Sequence, residues 1–142
     1  MNNINVKIYD FLPDEAKLIR TTVFVKEQGF VDEFDRIDDE SIHFVMFDNE
    51  LPIATCRTLF SKERNNRIIG RFAVLKEYRN KHLGSLLLQE CEKEIVKRFG
   101  HIVIEISSQI EAQGFYQKNG YEDIGEPHLD ENHLHVWMKK YL

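Results

Sequence analysis

The stretch Ile68 to Leu88, IIGRFAVLKEYRNKHLGSLLL, constrains this chain more than any other. It reads as an apolar strand, a short polar turn opening at Arg79, and a helix that starts near Gly84. The first amides of a helix have no partners within it, and the helix dipole makes that end positive. A buried strand that feeds such a turn is a ready anion site. Lys76, Arg79, Lys81 and His82 place a basic patch on the same loop. Together these features point to a phosphate-bearing cofactor.

The remaining elements follow from periodicity. Val6 to Tyr9 reads as a first strand. Pro13 suits a first helical turn, and Ala16, Ile19, Val23 and Phe24 follow at helical spacing up to Gln28-Gly29. An acidic segment, Asp32, Glu33, Asp35, Asp38, Asp39 and Glu40, leads to Ser41 with room for one helical turn. It reads equally as a solvated loop and as a rim that attracts a cationic amine. His43 to Phe47 and Leu51 to Phe60 form a hairpin around Asp48-Asn49-Glu50, and Arg67 to Val74 is the next strand. Leu83, Leu86, Leu87, Cys91, Ile95 and Phe99 make one stripe of a long helix that stops at Gly100. Ile102 to Ile106 has the composition of a central strand. Ile110 to Lys118 is a short helix, and Tyr121 to Ile124 with Leu134 to Lys140 form a last antiparallel pair.

The order is thus β-α-β-β-β-α-β-α-β-β, an α/β chain with a mixed sheet and helices on both faces. The strands flanking the long helix must run parallel. A ligand then belongs beyond the end of Arg67–Val74, where the strand order switches. No repeat or linker divides the chain, so a single domain over 1–142 is expected. No apolar run is long enough to span a bilayer, and the N-terminus has no secretory pattern, which makes the cytoplasm the expected location. A net charge of −5 argues against a nucleic-acid partner. Cys56 and Cys91 read as buried free thiols.

These residues resemble the GNAT family of N-acetyltransferases over nearly the whole chain. The family's cofactor motif is Arg/Gln-x-x-Gly-x-Gly/Ala; here it is Arg79-Asn-Lys-His82-Leu-Gly84, with His82 at the first glycine. The strand Gly70-Arg71-Phe72-Ala73-Val74 and the later FYQKNGY (Phe115 to Tyr121) fit as well. FVKEQ, then Glu33, Asp35, Asp38 and His43, is similar to one bacterial subgroup, as are IATCR (Ile53 to Arg57) and His135-Val-Trp-Met138. If the first motif glycine serves close approach in an ordinary helical conformation, His82 is tolerable there; if it needs positive φ, histidine costs free energy. The first case is the expectation.

The resemblance implies acetyl transfer from acetyl-CoA to the primary amine of a small-molecule or amino-acid-like acceptor. It puts the pyrophosphate on the amides of Asn80, Lys81, His82, Leu83, Gly84 and Ser85, with Arg79 opening the loop. The pantetheine arm runs beside Phe72, Ala73 and Val74, and an amide near Val74 polarises the thioester carbonyl. Tyr116 protonates the leaving thiolate, where a plain packing aromatic is the alternative reading. Glu27, Glu33 and His43 are the candidates for the base that frees the amine, and the residues do not choose among them. A homodimer is one option the family allows. Arg57 and Arg71 read more simply as strand-end charges paired with the acidic segment. Gln28 suits either the pocket or the helix end, and Gln109 suits a bond to loop backbone.

His128, His133 and His135 lack any metal-ligand pattern, so no metal is expected, and His135 reads as a core or cleft-lining residue. Two rival functions remain. One is an acyltransferase like the acyl-homoserine-lactone synthases, which take acyl carrier protein and normally carry further Trp and Arg residues that are not found in this N-terminal region. The other is a non-catalytic acyl-CoA-binding module.

Overall fold

The computed structural model describes residues 3–31 and 33–142, so Asp32 of the acidic segment lies outside the described residues. The elements are β1 (Ile4–Tyr9), α1 (Asp14–Arg20), β2 (Ile42–Asp48), β3 (Leu51–Ser61), β4 (Asn66–Val74), α2 (Leu83–Phe99), β5 (Val103–Gln109), α3 (Gln113–Lys118), β6 (Glu122–Asp130) and β7 (His133–Tyr141). The seven strands form one sheet in the order β1-β2-β3-β4-β5-β7-β6. Every neighbouring pair is antiparallel except β4 and β5. That pair is parallel, as the crossover through α2 requires.

Alternation along β2 separates two cores. Val45 and Phe47 pack with Ala16, Ile19, Val23 and Phe24 on the α1 side. Phe44 and Met46 face the other way and pack with Leu87, Leu88, Cys91 and Ile95 of α2. Cys56 and Cys91 are free and buried in that second core. Among the described residues no helix is long and apolar enough to cross a membrane.

The parallel seam is short. Only Arg67↔Ile104 and Ile68↔Glu105 are paired, and the two strands part beyond them. The cause is visible in β4. Between Gly70, opposite Arg57, and Ala73, opposite Thr55, β4 carries one residue more than β3. Arg71 in this bulge has φ 48°. Such a bulge bends its strand and sharpens the twist, which turns the end of β4 away from β5.

Two elements differ from the sequence expectation. The first helix continues through π-helical turns over Thr21–Glu27, with the Gln28 amide donating five residues back to Val23 at 3.0 Å. Four of its first five residues, Thr21, Thr22, Val23 and Val25, are β-branched and crowd a tight turn. The strand expected to end at Ile124 runs on to Asp130. Gly125 (φ 78°) and a register shift between Ile124 and His128 carry it past Pro127. A proline is tolerated there because β6 is a sheet edge.

Candidate functional site

The loop after β4 is rich in unpaired amides. The amides of Asn80, Lys81 and His82 have no partner among the described residues, and no side chain caps α2. The first hydrogen bond into the helix comes from Leu86, to the His82 carbonyl at 3.2 Å. Asn80 and His82 both have φ 63°, so left-handed and ordinary residues alternate along the loop. That alternation turns successive N–H groups toward one side and makes a concave anion nest ahead of a helix dipole.

Phe72, which lies near Gly84 at the start of α2, also lines a cavity of about 650 Å³ in the gap between β4 and β5. Phe24, Gln28, Phe30 and Glu33 line it from the first helix and the segment after it, and His128, His135 and Trp137 line it from β6 and β7. Tyr116 reaches the cavity from α3. It is 6 % exposed and packs edge-on against Phe72, Phe115 and Tyr121. Its ring is thus both packed and cavity-lining. Burial pushes its phenol well up, so the group holds its proton across the neutral range. At the mouth of the gap the Leu75 amide bonds to Ile53 of β3 at 2.9 Å. Strand alternation then turns the Val74 amide to the open side. The backbone irregularity itself lies earlier than expected, at Arg71 and Phe72.

A buried ionic network braces the α1 wall. Arg20, 1 % exposed, donates Nε to Glu33 Oε2 at 2.6 Å and Nη1 to Asp38 Oδ1 at 2.7 Å. Arg57 donates Nη1 to Asp38 at 2.8 Å and to Asp35 at 3.0 Å. Arg71 reaches Glu33 Oε2 at 3.1 Å and Asp35 at 3.5 Å. The acidic segment is split: Glu33 and Asp38 are buried against arginines, while Asp35, Asp39 and Glu40 remain exposed. Burial raises the Asp38 carboxyl, but the Arg20 and Arg57 bonds and charges outweigh it and bring it down to about 2. At Glu33 burial is the larger effect and lifts the carboxyl above its ordinary range, against the pull of Arg71 and Arg20.

The three base candidates occupy different places. Glu33 lines the cavity. Glu27 lies outside it and pairs with Arg79 through two bonds of 2.6 and 2.8 Å. His43 is buried behind β2, its Nε2 donating to the Asp38 carbonyl at 2.9 Å, and burial lowers its basicity. Gln109 does not bond loop backbone as expected; its amide donates to Gln28 Oε1 at 2.8 Å and ties the end of β5 to the end of the first helix.

Comparison with known proteins agrees with this geometry. Residues 14–142 match the acetyltransferase (GNAT) domain family. The chain belongs to the GNAT acetyltransferase family. A Bacillus subtilis (strain 168) protein that bears an acetyltransferase name is 33% identical over 133 residues, covering 86% of this chain and 84% of the relative. A crystal structure from Lactobacillus plantarum, titled as an N-acetyltransferase, superposes with a TM-score of 0.87 at 28% identity over 99% of both chains. An aminoglycoside 6'-N-acetyltransferase solved with coenzyme A shares the fold, with a TM-score of 0.74 at 16% identity over 96% of both chains.

In this GNAT chain the first motif glycine is replaced at a position with positive φ. His82 has φ 63° and ψ 11°, which corrects the expectation of an ordinary helical conformation there. The side chain is exposed, so the replacement is strained in its backbone without a steric clash. Gly84 plays the other role. A Cβ on it would meet the Phe115 ring at 3.2 and 3.3 Å, so its small size lets α2 start close against the aromatic cluster. Arg20, the hub of the GNAT chain's ionic network, is missed in the sequence because its partners lie 13 and 18 residues away. A lone arginine on the buried stripe with Ile19 and Val23 was the available signal.

Proposed function

We propose that the protein is an acetyl-CoA-dependent N-acetyltransferase acting on the primary amine of a small molecule. The observation that carries this reading is the unpaired amide run from Asn80 to Ser85, opening beside the gap between β4 and β5. The nest suits a diphosphate, and the family relationship supports acetyl-CoA as the co-substrate. When bound, acetyl-CoA supplies an activated acetyl thioester.

Each remaining role falls to this chain. The amides of Asn80, Lys81, His82, Leu83, Gly84 and Ser85 hold the pyrophosphate, and Arg79 positions the loop. The open edge of Phe72, Ala73 and Val74 pairs with the amide groups of the pantetheine arm. The Val74 N–H, already aimed into the gap, stabilises negative charge on the carbonyl oxygen without reorganising. Tyr116 gives its proton to the departing sulfur. Glu33 Oε1, the oxygen not engaged by Arg20 or Arg71, attracts the acceptor as an alkylammonium.

The test is stoichiometric release of CoA thiol from acetyl-CoA with a panel of primary amines: tyramine, lysine, spermidine and glucosamine. Turnover with at least one supports the reading. Acetyl-CoA binding without turnover on any amine identifies a binding module instead.

A further inference from the structure

An alkylammonium has a pKa of about 10.4, so an acceptor needs a base before it can attack. Of the carboxylate and imidazole groups the sequence nominated for that task, two lie outside the cavity and the third, Glu33, has one oxygen held by both Arg20 and Arg71. Protonating Glu33 would break up a buried balanced network. The cavity offers another group. His135 is 6 % exposed and lines it. Its Nδ1 lies 3.0 Å from the backbone carbonyl of His133. A carbonyl only accepts, so Nδ1 carries the proton and Nε2 carries the lone pair. Nδ1 faces its own strand, which sends Nε2 away from the backbone. Nε2 has no partner among the described residues. The ring is further fixed by stacking with His128, centroids 6.0 Å apart, while β7 pairs His135 with Gln109 at the open end of β5.

We infer that His135 Nε2 is the general base that takes the proton from the acceptor amine, a role that rests on the acetyl-transfer reading above. The acceptor arrives as an ammonium beside Glu33 and loses one proton to His135 Nε2, which later passes it to solvent. The freed nitrogen lone pair forms the N–C bond at the acetyl carbonyl, and the C–S electron pair leaves with sulfur. Tyr116 protonates that sulfur, and the second nitrogen proton returns through water to the Tyr116 oxygen. The balance is one acetamide, one CoA thiol and one released proton. The other titratable and charged groups in the same cavity are Arg57 of β3, Arg71 of β4, Tyr116 of α3, His128 and Asp130 of β6, Glu131 beyond it, and Glu33. None of them combines an imidazole lone pair with a tautomer set by backbone.

The experiment measures kcat/KM by thiol release between pH 5 and 9, with the panel amine turned over fastest. A base that must be unprotonated gives an activity that falls as pH is lowered. His135→Gln is expected to lose about 10²-fold or more in kcat/KM and to lose that acid limb, with CoA affinity unchanged. His101→Gln, at an exposed position outside the cavity, keeps the limb. His135→Ala is expected to recover part of its activity when free imidazole is added. Should these variants fold poorly, nitrogen chemical shifts of the wild-type imidazole report the tautomer directly. An Nδ1-protonated neutral ring supports the assignment, and an Nε2-protonated ring overturns it. A His135→Gln enzyme with near wild-type kcat/KM and an intact limb overturns it too, while leaving acetyl transfer standing. Absence of turnover on every amine overturns the acetyl-transfer reading itself and this role with it.

Discussion

Both terminal nitrogens of Arg79 close on the carboxylate of Glu27, at 2.6 and 2.8 Å. The same guanidinium donates Nε to the Val74 carbonyl at 2.9 Å. One residue thus joins the end of the first helix, the open edge of β4 and the start of the amide loop. Its own charge is balanced by Glu27, which leaves the amides and Lys81 to attract anions to the loop.

Removing that balance should favour anion binding. Glu27→Gln is expected to tighten CoA binding a few-fold at low ionic strength, with the gain fading as salt is added. Both partners are about one-third exposed, so the stability change should stay within about 1 kcal/mol. The Arg79 hydrogen bond holds the Glu27 carboxyl below its ordinary value, so the small stabilisation is present above that value and lost as pH falls through the lowered one. Calorimetric titration at two salt concentrations checks the affinity; equal affinities at both would contradict the balance argument.

Tyr116→Phe is expected to reduce kcat by about 10²-fold while the CoA dissociation constant stays the same. The ring still fills its place among Phe72, Phe115 and Tyr121. Burial holds the phenol protonated, so Tyr116 contributes no ionisation to the pH profile near neutrality. Retained kcat in the variant would return the residue to a packing role.

Asp38→Asn leaves Arg20 and Arg57 without their shared carboxylate. Breaking such a buried pair costs about 3–5 kcal/mol. The Asp38 carboxyl sits at about 2, below its ordinary value, so its stabilisation is complete above about pH 4 and is lost as pH falls from there toward 2. Denaturant unfolding of wild type and variant should therefore show a constant gap from pH 7 to 5 that narrows only in stronger acid. A gap that closed near neutrality would point to a different partner.

His82→Gly removes a side chain from a left-handed position. Relief of that strain is worth about 1 kcal/mol, so the melting temperature should rise and CoA binding should persist. A fall in stability would mean that the exposed imidazole makes a contact more valuable than the strain it carries.

The parts legible in the sequence were those written in local periodicity. The stripe from Leu83 to Phe99 and the apolar strand before it fixed the crossover, and with it the parallel seam. What stayed hidden depends on distant partners or on local backbone choice. Nothing near Arg20 announces that Glu33 and Asp38 will close on it. The left-handed conformation of His82 follows from how the loop must turn to enter α2, and its side chain carries no hint of it. The run of β6 beyond Ile124 depends on its place at the sheet edge, where Pro127 is tolerated. His135 is visible in the sequence as a strand residue, but its tautomer depends on a carbonyl two positions away.

The most direct test compares calorimetric binding of CoA with that of pantetheine, which shares the arm but lacks the diphosphate. If the amides of residues 80–85 grip the diphosphate, CoA binds and pantetheine shows little or no heat. Equal affinity for the two, or no affinity for CoA at all, would contradict the account.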